Sequence, residues 1–302
     1  LTPALLTAMD PVGLRDAFQA ALPLKHVEAA VIERAKYKPG AKALLSARVR
    51  VAGETIEKLY ALRVLPPGKG RARYERALGE TGGAGVLLLE GIDAVAWAFP
   101  ADLRIGGLAY LADPKLFEQA TLPELARALA PGGSIEAWSS EVVHYAAEQS
   151  CTMRVRLSGQ LASGEAFGRT IYGKCHADGE SGRAVQALDN IEAALANERE
   201  RAFGIARVIL EQPQLGIQWQ EAAPGVQLEM AGFFDSALGQ AERVGAAVAG
   251  LHGLPVKLDA PPVAPDLDRL KRRLAIAAVL PAAVQARVAA LLVWLARRAP
   301  PR

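Results

Sequence analysis

The chain has 302 residues, enough for two domains with cores of their own, and its 51% hydrophobic and 22% charged residues are typical of a soluble globular protein. The formal net charge of +3 lacks the strong basic excess of a nucleic-acid-binding protein, and no segment has the pattern of a membrane span or a secretory signal. We therefore expect a cytoplasmic protein with no nucleic-acid and no membrane partner.

A short amphipathic helix followed by strands is predicted for the first segment. Residues 10–22 begin with Asp-Pro and then repeat apolar side chains at every fourth position. A second helix is predicted through Tyr74 and Arg76, after the third strand. Alternation of polar and apolar residues, bounded by turn residues, predicts five strands, over 31–37, 44–51, 57–64, 86–89 and 94–99.

A helix over 121–130 is predicted to close this segment. Thr121 and Glu124 have the spacing of a capping box, and Pro-Gly-Gly at 131–133 is a stop signal. We place a domain boundary here. The predicted domains are an α+β segment over 1–132, a second α+β segment over 133–225, and a helical segment over 226–302.

The second segment repeats the pattern of the first. A helix is predicted from about 182 to 201, after the third strand, and tyrosine, Arg-x-Arg and tryptophan recur in the same order. This agreement predicts an internal duplication. Aligned on Tyr60 and Tyr172, Leu62 corresponds to Lys174, and Trp219 corresponds to Trp97. The strands are predicted over 140–145, 151–157, 170–176, 206–210 and 217–221.

The last segment is predicted to be helical, over 234–251, 266–279 and 281–298, with a proline-rich break at 259–265. His252 ends the first of these helices and is expected to cap or pack rather than to catalyse. The basic residues beyond 270 are interpreted as a solvated helix face, with a membrane-binding surface as the alternative.

Two cysteines, Cys151 and Cys175, are predicted on neighbouring strands of one sheet. Neither has the spacing of a metal ligand. We expect two small buried thiols in a reducing compartment, with a structural disulfide as the alternative.

Lys174 is the candidate for chemistry in the second segment. A cation on the inner face of a small sheet is unfavourable unless it meets an anion, and a nucleotide phosphate or a helix carboxylate would serve. The alternative is a lysine of an edge strand whose ammonium reaches solvent.

Three motifs resemble the N-terminal lobe of the aminoglycoside phosphotransferase type of kinase-like fold. They are Tyr-Gly-Lys at 172–174, the L-G-x-x-x-Q-E-x-x-P-G segment at 215–225, and a helix that ends in Leu-His at 251–252. Together they cover about residues 135–255. The resemblance implies a protein-kinase-like α+β fold. The second segment would be the nucleotide-binding lobe, the first a degenerate copy of it, and the last the start of a helical C-terminal lobe.

The resemblance also implies roles for individual residues. Lys174 would contact the phosphates of ATP, and a glutamate, either Glu180 or Glu192, would hold the lysine. Spacing does not choose between these two glutamates. The hinge around the adenine would be formed by Gln220, Glu221 and Ala222.

The sequence departs from the family pattern in two ways. The segment 146–150 after Tyr145 is not glycine-rich, and the catalytic His-Gly-Asp loop and the later metal-binding aspartate are missing. The one His-x-Asp, at 176–178, comes too soon after the lysine strand to be that loop. Transfer of a phosphoryl group to a hydroxyl requires both a base and a metal-holding carboxylate.

We therefore expect an ATP-dependent kinase for a small metabolite whose catalytic half lies beyond residue 302, with Mg²⁺ binding in that half. The alternative function is a non-catalytic, pseudokinase-like binding or regulatory module.

Overall fold

The computed structural model describes residues 2–38, 42–81, 83, 85–177, 181–197, 203–225 and 237–256, and six helical positions between 282 and 293. The chain divides into two compact units, Leu1–Pro255 and Val256–Arg302, and the first is described below. Apart from those six positions, the helices predicted over 266–279 and 281–298 lie outside the described residues, as do Asp178 and Glu180.

Two helices and a five-stranded antiparallel sheet form the first half of this unit. Asp10 begins the second helix because its carboxylate accepts a hydrogen bond from the Gly13 amide at 2.8 Å. The strand order is β1-β2-β3-β5-β4. The elements are α1 (Pro3–Met9), α2 (Pro11–Ala21), β1 (Val27–Lys38), β2 (Lys42–Val51), β3 (Lys58–Val64), α3 (Gly70–Thr81), β4 (Val86–Leu89) and β5 (Ala94–Ala98).

A second five-stranded antiparallel sheet has the same order, β6-β7-β8-β10-β9. Its third strand is again followed by a helix, and a further helix follows the sheet along the chain. The elements are β6 (Ser134–Ala146), β7 (Ser150–Gln160), β8 (Ala166–His176), α7 (Ser181–Ala196), β9 (Val208–Gln212), β10 (Ile217–Glu221) and α8 (Ala237–Gly253).

Short helices connect the two sheets: α4 (Leu108–Ala112), α5 (Pro114–Leu116), a π-helical turn over Phe117–Thr121, and α6 (Leu122–Leu129). The predicted capping box at Thr121 is wrong, because Thr121 has helical backbone angles and its hydroxyl donates to the Tyr110 carbonyl at 3.3 Å. The chain is already helical before α6, so this helix has no free N-terminus to cap.

Two hydrophobic clusters form the core. One lies between α1, α2 and one face of the first sheet, and it contains Phe18 and Leu62. The other lies between the first sheet, α3, the connecting helices and one face of the second sheet. It contains Trp97 from the first sheet and Trp219 from the second. Both sheets therefore have one face in a common core.

The predicted α+β class and the ten strands are confirmed, although β1, β6, β7 and β8 are longer than expected. The sequence interpretation missed α1, α4 and α5, which have three to seven residues each and show little periodicity. None of the helices in the described part of the chain is long and apolar enough to cross a membrane.

The cysteines are placed as predicted. Cys151 and Cys175 are direct partners on β7 and β8, and both are fully buried and free, so the disulfide alternative is wrong. Burial raises the pKa of both thiols, that of Cys175 to about 12. Both are therefore neutral and unreactive in the folded protein.

Candidate functional site

Lys174 lies near the end of β8, the central strand of the second sheet, so the interpretation as an edge-strand lysine is wrong. Alternate residues of β8 point in opposite directions. Ile171, Gly173 and Cys175 are buried in the common core, whereas Tyr172 and Lys174 are half-buried on the other face. We call this face of the second sheet the polar face.

Strand register places Lys174 in a row of polar residues that crosses all five strands. Thr152 on β7 and Gln218 on β10 are its direct neighbours. His144 on β6 pairs with Thr152, and Glu211 on β9 pairs with Gln218. Neighbouring strands lie about 4.8 Å apart, so Thr152 and Gln218 flank Lys174 closely on this face.

Gly173 allows β8 to pass under a buried tryptophan. A Cβ atom at this position would lie 2.6 Å from Trp219 Cη2 and 2.9 Å from Leu111 Cδ2. The indole is held in place because its Nε1 donates to Gln212 Oε1 at 3.0 Å, inside the core. The glycine of the Tyr-Gly-Lys motif therefore has a packing role, and it fixes the strand that carries Lys174.

His144 connects this row to the first sheet. Its Nδ1 lies 3.1 Å from Nη1 of Arg34, which is on β1. Burial lowers the pKa of His144, and the positive charges of Arg34 and Lys174 lower it further. Within the described residues neither Arg34 nor Lys174 forms an ion pair, so two cations meet at a neutral histidine without a compensating carboxylate. Sequence reasoning missed both Arg34 and His144.

Gln218 adds an unpaired polar group to the row. Gln218 is 1% exposed, and its buried side-chain oxygen Oε1 has no hydrogen-bond partner among the described residues. A buried amide without a partner is uncommon, because such a group loses its hydration without compensation. Gln218 pairs with Lys174 in the register of β8 and β10, so this buried acceptor lies beside the lysine.

Beyond this row, Arg154 and Arg156 on β7 share one carboxylate. Both form ion pairs with Glu141 on the neighbouring strand β6. Each of these arginines therefore has an anionic partner, whereas Lys174 and Arg34 form no ion pair among the described residues.

The structure does not bring Glu192 to Lys174. Glu192 is exposed on α7, and the described residues contain no ion pair between the two. The carboxylate in the row of Lys174 is that of Glu211, which sequence reasoning missed. A Cβ atom on Gly182 would lie 3.4 Å from Glu211 Oε1, so the first turn of α7 lies against this carboxylate. The N-terminal end of a helix favours negative charge.

The predicted hinge residues lie at the end of β10 and directly after it. Gln220 pairs with Tyr172 on the polar face, and Glu221 pairs with Ile171. Glu221 and Ala222 line a groove of about 480 Å³ at the end of the sheet, together with Arg169, Thr170 and Arg207 among others. Lys174 does not line this groove. It lies four residues from Thr170 on the same face, about 13 Å along the strand.

The remaining motif residues have structural roles or lie apart from this row. Leu215 and Gly216 form the turn between β9 and β10, and Gly216 has a φ of +64°, which favours glycine. His252 is exposed in the last turn of α8. No cluster of three potential metal ligands occurs in the described ranges.

The two sheets have the same pairing of residues between strands when positions are counted from the first turn of each sheet. Three residues separate β1 from β2, and three separate β6 from β7. The second residue of β2, Ala43, pairs with Val64 on β3. The second residue of β7, Cys151, pairs with Cys175 on β8. Val64 and Cys175 therefore occupy equivalent positions.

The first-sheet counterpart of Lys174 is consequently Arg63, which corrects the pairing with Leu62. α3 begins seven residues after Arg63, and α7 begins seven residues after Lys174. Leu62 points to the opposite face, into the cluster around α1 and α2. Alignment on Tyr60 and Tyr172 shifts the strands by one residue, which exchanges their faces.

The same correction applies to the two tryptophans. Trp97 pairs with Ala61, on the face that α3 covers, whereas Trp219 pairs with Gly173, on the face opposite Lys174. They are buried in one core but they are not equivalent positions of the two sheets.

Comparison of the chain with known protein families, with curated proteins and with solved structures gives no significant match. The function is therefore argued from the residues of the chain itself.

Proposed function

We propose that the second sheet and α7 form a nucleotide-binding lobe of an ATP-dependent phosphotransferase that acts on a hydroxyl of a small metabolite. The observation that carries the proposal is Lys174, a half-buried cation on a central strand without an ion-pair partner among the described residues. Such a cation is favourable when it meets a ligand anion, and a nucleotide phosphate is the anion that a kinase-type lobe supplies.

The order of elements supports the same proposal. Three antiparallel strands, a helix and two further strands follow one another, and the helix contacts the carboxylate in the row of the lysine. This is the order that the resemblance to the aminoglycoside phosphotransferase type implies. Under this proposal the two sheets are copies of one ancestral unit, because they share strand order, ladder and a cation at the same position.

The neighbours of Lys174 suit a phosphate chain. Arg34 and Lys174 provide two positive charges on either side of His144, and charge-assisted hydrogen bonds to phosphate are stronger than neutral ones. The adenine would lie near the end of β10, against the backbone of Gln220, Glu221 and Ala222. We assign no described residue to Mg²⁺, and the bound ion would neutralise phosphate charge.

Calorimetric titration of the whole protein with ATP·Mg tests this proposal. We expect Lys174→Ala to weaken binding about 10- to 100-fold, because a hydrogen bond to a charged group contributes about 1.5–3 kcal/mol. Arg34→Ala is expected to weaken binding less, since Arg34 is exposed. The matched control is Lys115→Ala, which removes an exposed lysine of α5 and should leave the affinity unchanged.

Absence of ATP binding, or equal affinity of the Lys174→Ala variant and the wild-type protein, would refute the nucleotide site. A transfer assay with γ-labelled ATP and a panel of sugars, aminoglycosides and amino alcohols then separates the two candidate functions. Phosphorylated acceptor supports the phosphotransferase. Nucleotide binding without transfer to any acceptor favours a non-catalytic binding module.

A further inference from the structure

The turn between β6 and β7 is held by the first sheet. Glu148 in this turn is 3% exposed, and its carboxylate forms two ion pairs. Oε1 accepts from Nε of Arg63 at 2.6 Å, and Oε2 accepts from Nζ of Lys42 at 3.0 Å. Both cations belong to the first sheet, on β3 and β2, so the contact joins the two sheets.

The backbone of the turn is fixed as well. Glu148 has a φ of +59°, a left-handed conformation that is unusual for a residue with a side chain. Its amide donates to Asp102 Oδ2 at 2.9 Å, and Tyr145 Oη donates to the same oxygen at 2.7 Å. Asp102 lies in the segment that connects the two sheets. Several contacts thus place the Glu148 carboxylate at Arg63.

Arg63 is the counterpart of Lys174 in the ladder of the first sheet, and both lie on the face covered by the following helix. In the first sheet, the Arg63 guanidinium is already paired with the Glu148 carboxylate. The guanidinium lies over the ring of Trp97 at 5.9 Å, and its side chain is 17% exposed, so the pair is largely shielded from water. Lys174 has no such carboxylate among the described residues.

We infer that the first sheet contains an anion site made by Arg63 and Lys42, and that the protein's own Glu148 carboxylate permanently occupies it. The site takes one small carboxylate-like anion, and its occupant ties the β6–β7 turn to the first sheet. Glu148 is therefore a positioning residue for the second sheet. A further consequence rests on the proposed function: the chain binds one nucleotide, at Lys174, although both sheets carry the cation.

Chemical rescue tests this site. In Glu148→Gly the carboxylate is removed while glycine retains the positive φ, so the cations keep their positions and face an open cavity. We expect the melting temperature to fall by about 10 °C, because the substitution leaves two cations without their buried partner. Sodium formate or acetate should restore part of the loss, beyond the effect of sodium chloride at the same ionic strength.

Glu141→Ala is the matched control. Glu141 also bridges two arginines on the second sheet, but it is 43% exposed. Its removal should lower the melting temperature little, and formate should act on this variant no differently from chloride. Formate that acts no better than chloride on Glu148→Gly overturns the inferred anion site.

A double-mutant cycle covers the case in which Glu148→Gly does not fold. Glu148→Gln keeps the shape of the side chain and removes its charge. It should lower the melting temperature of the wild-type protein but have a much smaller effect in an Arg63→Gln background. Equal effects in both backgrounds would contradict the inferred pairing.

Titration with inorganic phosphate separates this inference from the proposed function. Glu148→Gly should bind phosphate at the opened site, and it should still bind it when combined with Lys174→Ala. If wild-type protein binds no ATP while Glu148→Gly is rescued by formate, the nucleotide proposal fails and the anion site stands. If ATP binds at two sites in the wild-type protein, the permanent occupation of the first site is wrong.

Discussion

Gly173 is a position at which a single methyl group should disturb the core side of the second sheet. In Gly173→Ala the new Cβ would lie 2.6 Å from Cη2 and 2.7 Å from Cζ3 of Trp219, and 2.9 Å from Leu111 Cδ2. The ring cannot move away freely, because its Nε1 donates to Gln212 Oε1. Gln212 in turn donates to the Ala120 carbonyl at 3.3 Å, so a shift of the ring disturbs a chain of buried hydrogen bonds.

Overpacking of a core by one methyl group costs about 1–3 kcal/mol, and weakening a buried hydrogen bond adds about 1 kcal/mol. We therefore expect Gly173→Ala to destabilise the fold by about 2–4 kcal/mol. For a unit of this size, that loss corresponds to a fall of about 5–15 °C in the melting temperature.

Urea and thermal unfolding, followed by tryptophan fluorescence, measure this loss. Gly168→Ala is the matched control, since Gly168 lies on the same strand with no atom within 4 Å of its built Cβ. This control should be neutral or slightly stabilising, because alanine reduces the entropy of the unfolded chain. Equal stability of the two variants would refute the steric argument. A smaller cost of Gly173→Ala in a Trp219→Phe background would support it.

Three further predictions concern the thiols and two glycines. Cys151 and Cys175 should react with a disulfide reagent only after denaturant is added, and rapid reaction of the native protein would show that they are not buried. The pKa of Cys175 is raised from 9.0 to about 12, so its contribution to stability is complete below pH 9 and is lost as the pH rises towards 12. Gly216→Ala should cost about 1 kcal/mol because its φ is +64°, whereas Gly79→Ala, inside α3, should stabilise by up to about 1 kcal/mol. Denaturant midpoints measure both substitutions, and the same sign for both would contradict the argument.

The strands could be predicted from the sequence because their alternation is strong. In β7, for example, Cys151, Met153, Val155 and Leu157 are buried while the residues between them are polar. The short helices before and between the sheets could not be predicted in this way. α5 has three residues, and its start depends on Asp113, whose side chain accepts hydrogen bonds from the amides of Lys115 and Leu116.

The candidate site was predicted in part. Lys174 was identified, but its neighbours His144, Gln218 and Glu211 come from three other strands, and only the register brings them into one row. Arg34 comes from the other sheet, which no local pattern indicates. The predicted correspondence of Lys174 with Leu62 is wrong because it was based on aligning two identical residues, Tyr60 and Tyr172. Counting from the first turn of each sheet pairs Leu62 with Gly173 and therefore Arg63 with Lys174.

The corrected pairing changes the reason for expecting one nucleotide site. A leucine in place of the lysine would have meant that the first sheet has no cation for an anion. Instead it has Arg63, and Lys42 beside it, and both already bind Glu148. A tethered carboxylate has an effective concentration on the order of millimolar or higher, and here its turn is also fixed by Asp102. A free phosphate must displace this carboxylate at the first sheet, whereas at Lys174 it meets no such competitor among the described residues. The difference between the sheets therefore lies in the occupant of the site and not in its cation.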